Sequence, residues 1–151
     1  MSRRILLVTC LLSLLSLLLS ACGGSAPPTE GQARDFATAC DKANDGKRIA
    51  VVGYLRFPDS FTGDQSVLLR MYETADFSGK PIGVQTEFGT QANQVEPVKD
   101  QYSDSDLKVH LSNGQVAQFG TQVKVSGKVY YPIVSQDFDC GLENPLVEAA
   151  P

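Results

Sequence analysis

Gly46-Lys47-Arg48-Ile49-Ala50-Val51-Val52-Gly53-Tyr54-Leu55 is repeated, in pattern, by Gly120-Thr121-Gln122-Val123-Lys124-Val125-Ser126-Gly127-Lys128-Val129. Both stretches place glycine at offsets 0 and 7 and an aliphatic residue at offsets 3, 5 and 9. Alternation with period two turns every second side chain toward one face of a strand, and a glycine inside such a strand marks a bend or bulge where the sheet curls. One curved strand used near each end of a domain predicts a mainly β fold, a small and strongly curved antiparallel barrel.

The chain between and around the two copies fits that plan. In the first copy Ile49, Val51, Gly53, Leu55 and Phe57 share the inward face, with Ala50, Val52, Tyr54 and Arg56 outward, until Pro58 ends the run. Ser66 to Glu73 alternates again, with Val67, Leu69 and Met71 inward and Leu68, Arg70 and Tyr72 outward. A third strand follows the turn at Asp76 to Pro81 and is carried by Ile82, Val84 and Phe88. Residues 89–105 are rich in Gly, Gln, Asn, Asp and Pro, a long polar connection of the kind that is functional or mobile in a compact domain. Leu107, Val109 and Leu111 alternate up to the hairpin signal Asn113-Gly114, and Val116 to Phe119 returns. The second copy turns Val123, Val125, Gly127, Val129 and Tyr131 inward and Ser126 outward. Pro132 closes it, and Leu142, Leu146 and Val147 offer a last short strand. Ahead of the first copy, Thr29 and Gln32 have capping-box spacing. Ala33, Phe36, Ala37, Cys40 and Ala43 then share one face of a predicted N-terminal helix that stops at Asn44-Asp45-Gly46.

Helix, curved strand, meander, long connection, second curved strand and short final strand resemble an OB-fold barrel. Val51-Val52-Gly53-Tyr54-Leu55 and Val123-Lys124-Val125-Ser126-Gly127-Lys128-Val129 look like the first and fourth strands of that family, which are neighbours in its barrel. The resemblance is to OB-fold envelope proteins of the tRNA-anticodon-binding-like kind and covers roughly residues 46–148. It implies an architecture and no particular activity. The pair of strands between Asp106 and Phe119 exceeds the five-stranded pattern.

Residues 1–21 read as an export signal: Arg3 and Arg4 form a basic start, Ile5 to Leu19 an apolar run of 15, and Leu19-Ser20-Ala21-Cys22 the exit. The run is shorter than the roughly 20 residues a membrane-spanning helix needs. The tetrad resembles the bacterial lipobox, which implies cleavage before Cys22 and a lipid on its sulfur. The other reading is an ordinary signal cut after Ala21, with Cys22 a free thiol. Residues 22–31 then form a flexible tether and residues 32–151 the OB-like domain. The lipobox implies a bacterial cell-envelope location, lipid-anchored to a membrane. Gly23 in place of Asp resembles outer-membrane sorting where two membranes are present.

With Cys10 in the signal and Cys22 lipidated, Cys40 and Cys140 remain as a pair in an oxidising compartment, and a disulfide between them is expected. A zinc site is disfavoured, because the chain has no Cys-x-x-Cys and a single histidine, His110. Loss of Arg3 and Arg4 leaves 11 basic against 17 acidic side chains, a net charge of −6 that disfavours general binding to nucleic acid or anionic membranes.

Catalytic signatures are missing: the chain has no Gly-x-Ser-x-Gly elbow, phosphate-cradling glycine loop or His-Glu-x-x-His. Asp100, Asp104 and Asp106 could gather round a cation or simply form a solvated acidic loop. Tyr54, Arg56, Arg70, Tyr72, Lys108 and His110 share outward strand positions. They make either a stacking platform for bases or sugars, or ordinary side chains that cover the sheet with their apolar parts. The expectation is a non-enzymatic, membrane-tethered module, without cofactor, that engages an envelope protein or small ligand. The alternative is a surface receptor that takes single-stranded nucleic acid or glycan on the Tyr and Arg face.

Overall fold

The computed structural model describes residues 26–134 and 136–151. The predicted export signal and Cys22 lie outside the described residues. The elements in order are β1 (Gln32–Ala33), a short helix α1 (Phe36–Ala39), β2 (Arg48–Arg56), β3 (Ser66–Tyr72), β4 (Ile82–Glu87), β5 (Lys108–His110), β6 (Val116–Gln118), β7 (Gln122–Tyr130) and β8 (Gly141–Ala149). Five of them, in the order β2-β3-β4-β8-β7 with β7 returning to β2, close a small β-barrel. Its pairs are antiparallel except β4 with β8, which run parallel.

The repeated strands are β2 and β7, and they pair with each other. Their register runs from Arg48 opposite Lys128 to Tyr54 opposite Gln122, so Ile49 faces Gly127, Gly53 faces Val123, and Val51 faces Val125 at the middle. The two copies are therefore related by an approximate two-fold axis through Val51 and Val125. Ile49, Val51, Leu55, Val123, Val125 and Val129 are all buried, with Val67, Leu69, Met71, Val84, Leu142 and Val147 completing the lining. A Cβ at Gly53 would stand 2.4 Å from the carbonyl oxygen of Tyr72, and one at Gly127 would stand 2.6 Å from the Cβ of Leu142. Both are close approaches that only glycine permits.

Three sequence expectations are corrected. The helix is confined to Phe36–Ala39, because Gln32 and Ala33 pair in parallel with Ile49 and Ala50 on the edge of β2 that β3 occupies further along. A single isolated turn of helix is costly to nucleate, and the edge hydrogen bonds available at β2 win. Gly31 makes this crossing possible, since a Cβ there would lie 2.3 Å from the Ile49 backbone. Ser126, outward by alternation, is fully buried: Arg48 donates to its carbonyl oxygen, and also to the carbonyls of Thr29 and Asn144. The last strand is nine residues long and bulged, with Asn144 and Pro145 together opposite Gly127. Asn144 takes φ +49°, and proline is tolerated because a bulge leaves its nitrogen unpaired.

Cys40, just past α1, is bonded to Cys140, with 5.5 Å between their Cα atoms and 100 residues between them in sequence. In the chain-entropy account a loop of that length stabilises by about 4 to 5 kcal/mol at most. β5 and β6, the strands in excess of the five-stranded pattern, form a separate hairpin, which buries Leu107, Val109, Leu111 and Ala117 against the barrel core. No helix among the described residues is long and apolar enough to cross a membrane.

Candidate functional site

The outward constellation expected from alternation divides into three groups. Tyr54 and Tyr72 are cross-strand partners, as are Arg56 and Arg70. Phe77, held at φ +55° in the β3–β4 turn, packs edge-on against both tyrosines, at 6.5 and 5.7 Å between ring centroids. It also stacks on Phe119 at 5.0 Å, so the tyrosines lie under other rings of the same chain. The Arg56 guanidinium lies 5.7 Å from the Phe77 ring and 2.9 Å from the Asp104 carboxylate. Arg70 turns the other way: Nε donates to Asp137 at 2.6 Å, NH1 donates to the Leu68 carbonyl, and the guanidinium lies over Phe138. That bond holds the Asp137 carboxyl below the usual carboxylate range. Lys108 and His110 sit apart on β5, where both reach Glu96, at 3.1 and 3.3 Å.

The acidic loop is divided in the same manner. Asp104 accepts from the Phe57 amide as well as pairing with Arg56, and Asp106 caps its own turn through Ser103. Asp100 stands alone of the three in a cavity wall. Among the described residues no cluster of three His, Cys, Asp or Glu side chains could hold a metal ion.

Concavity is found elsewhere, where the parallel seam of the barrel opens. β4 and β8 share only two register pairs, Gly83 with Gly141 and Val84 with Leu142, before they diverge. The gap is bridged by Asn93, which lies in the long polar connection at φ +66°. Its carbonyl accepts from Thr86 Oγ1 on β4, its Oδ1 accepts from the Val147 amide on β8, and its own amide donates to the His110 carbonyl, each at 2.7 Å. Alongside this bridge runs a groove of about 960 Å³, with Gln65, Gln85, Gln94 and Asn144 among its amide walls and Pro28 at its margin.

A second cavity of about 380 Å³ adjoins it, and Asp64 and Phe88 belong to both. Here the floor is aromatic. Phe61 lies 4.7 Å from Tyr102 and 5.4 Å from Phe88, and Phe57 backs the cluster at 5.1 Å from Tyr102. Tyr102 is fixed by donating to the Pro58 carbonyl. Burial pushes its phenol pKa up, and the carboxylates of Asp59 and Asp104 push it further. Groove and pocket adjoin in one cleft lined by amides, aromatic side chains and carboxylates, a composition suited to holding a ligand by hydrogen bonds and apolar contact.

Alternation could not find this cleft, because its residues come from loops and from the point where two strands part. The length and polarity of 89–105 and the isolated Phe61 in a polar loop were the available signals. Comparison with protein-family models, with curated proteins and with solved structures gives no match.

Proposed function

We propose that the chain is a non-enzymatic, membrane-tethered OB-like binding module of the bacterial cell envelope, which engages a protein or small ligand in the cleft between Pro28 and Tyr102. The observation that carries this reading is that two neighbouring cavities share Asp64 and Phe88 as walls. Their walls hold amides, hydroxyls, carboxylates and aromatic rings, groups that hold a ligand by hydrogen bonds and apolar contact. Thr86, the buried hydroxyl in the wall, is committed to Asn93.

The lipobox supplies the tether. Pro28 lies six positions after Cys22, a reach of about 20 Å when extended, so the groove wall is held close to the anchored end of the chain. The alternative, capture of single-stranded nucleic acid or glycan on the Tyr and Arg face, has less support. Arg56 and Arg70 are each engaged by a carboxylate, and both tyrosines are packed against Phe77.

Two experiments test the reading. Cys22→Ser should abolish incorporation of radiolabelled palmitate and partition into detergent; continued labelling of the variant would refute the anchor. For the cleft, a photoreactive residue replacing exposed Gln85 in native envelopes should give discrete adducts, whereas the same residue at exposed Gln118 on β6 should not. Equal yields from the two positions would refute the cleft as the binding surface.

A further inference from the structure

The aromatic half of the cleft has a charge as well as a shape. Phe61, Phe88 and Tyr102 all line the 380 Å³ pocket, with Asp64 and Asp100 among the same walls and Lys99 as the one cation there. The surrounding loops deepen the negative balance. Residues 58–65 contain Asp59 and Asp64 and no basic residue, and Asp59 lies near enough to Tyr102 to raise its phenol pKa. The nearby cations are engaged elsewhere, Arg56 with Asp104 and Lys108 with Glu96.

We propose that this pocket binds an alkylammonium group, whose apolar skirt lies on the rings of Phe61, Phe88 and Tyr102 while its charge is matched by Asp64 and Asp100. The face of an aromatic ring carries negative potential and attracts a cation within about 6 Å of its centroid, by roughly 0.5 to 2 kcal/mol depending on desolvation. A bare metal ion would need several converging oxygen ligands, and no such set is present among the described residues. A carboxylate or phosphate would meet two like charges, Asp64 and Asp100, against the single cation Lys99. An ammonium with a hydrocarbon surround satisfies ring faces and carboxylates together, and the pocket volume leaves room for it. The inference rests on the cleft being a ligand site and names the chemistry one end of it selects. The group could belong to a free small molecule or to a lysine side chain presented by a partner.

The test is a titration of the full chain in maltoside detergent, followed by the ring resonances of Phe61, Phe88 and Tyr102. Choline, its neutral isostere 3,3-dimethyl-1-butanol, and a Gly-Lys-Gly tripeptide blocked at both ends are compared. Choline should shift these resonances saturably, with a dissociation constant on the order of millimolar, and the neutral isostere should bind at least about tenfold more weakly. Tighter binding of the blocked tripeptide than of choline would assign the group to a protein side chain, and the reverse order to a free ligand; both support the site. Asp64→Asn with Asp100→Asn, at exposed positions, should weaken choline about threefold to tenfold at low salt. Phe61→Leu, which keeps apolar volume but removes the ring, should abolish the shifts while the resonances of Val51 and Val125 stay unchanged. Equal shifts from choline and the isostere, or none from choline, would overturn the proposal. In that case adducts from Gln85 would still show the groove to be in use, so the two readings fail separately.

Discussion

The two copies of the repeated strand share a pattern and meet each other in register, yet their glycines solve different problems. In β2, Gly53 lies beneath the carbonyl oxygen of Tyr72, one residue before Tyr54, which pairs with Gln122 on one side and Tyr72 on the other. In β7, Gly127 lies against Cβ and Cα of Leu142 and the carbonyl oxygen of Glu143, opposite the extra residue that Asn144 and Pro145 add to β8. A main-chain oxygen cannot swing aside, whereas a strand already bulged can shift. The same residue in the same place of a repeat therefore marks a rigid corner in one copy and a yielding one in the other.

The largest effect is expected at the rigid corner. Gly53→Val should destabilise by at least about 3 kcal/mol, because the Cβ meets backbone and the branch adds further crowding. Gly127→Val should cost less, about 1 to 3 kcal/mol, the range for overpacking that neighbours partly relieve. Chemical denaturation of both variants measures the contrast; equal midpoints would mean that the two corners are alike. A smaller effect probes the bulge itself. Asn144→Ala should lose about 1 kcal/mol, since alanine takes the left-handed backbone region at a cost that asparagine largely avoids, whereas Asn144→Gly should stay within about 0.5 kcal/mol of wild type. If both variants match wild type, the bulge is not held by that residue's conformation.

The smallest effect compares Ser126 with its partner Ala50. Both are buried, and among the described residues the Ser126 hydroxyl has no hydrogen-bond partner. Ser126→Ala makes the pair identical and removes an unsatisfied buried group, so thermal unfolding should show a protein as stable as wild type or more stable by up to about 1 kcal/mol. A loss of more than that would reveal a partner for the hydroxyl.

Local alternation was enough to read the inward face of β2 and β7, where Ile49, Val51, Leu55, Val123, Val125 and Val129 are all buried; it failed at outward Ser126 and at the bulged last strand. The disulfide followed from setting aside Cys10 as part of an expected signal and Cys22 as an expected lipid site, which leaves Cys40 and Cys140. What alternation could not supply was anything that crosses strands. The path of Gly31 over Ile49, the covering of Ser126 by Arg48, and the bridge of Asn93 between β4 and β8 depend on residues distant in sequence. The candidate site suffers from the same limit. Tyr54, Arg56, Arg70 and Tyr72 were correctly placed on one pair of strands, but their partners Phe77, Asp104 and Asp137 lie in loops, and those loops decide which side chains remain free. The cleft is a product of those loops and of a strand pair that separates.

The central structural claim is that β2 and β7 close the barrel by pairing about Val51 and Val125. It is tested most directly by cross-strand Hα to Hα contacts in a nuclear Overhauser spectrum of the folded protein. Alternate partners between Arg48 opposite Lys128 and Tyr54 opposite Gln122 should give strong cross-peaks, alongside those of β2 with β3 and of β7 with β8. Cross-peaks for the latter two ladders with none between β2 and β7 would describe an open sheet and contradict the closed barrel.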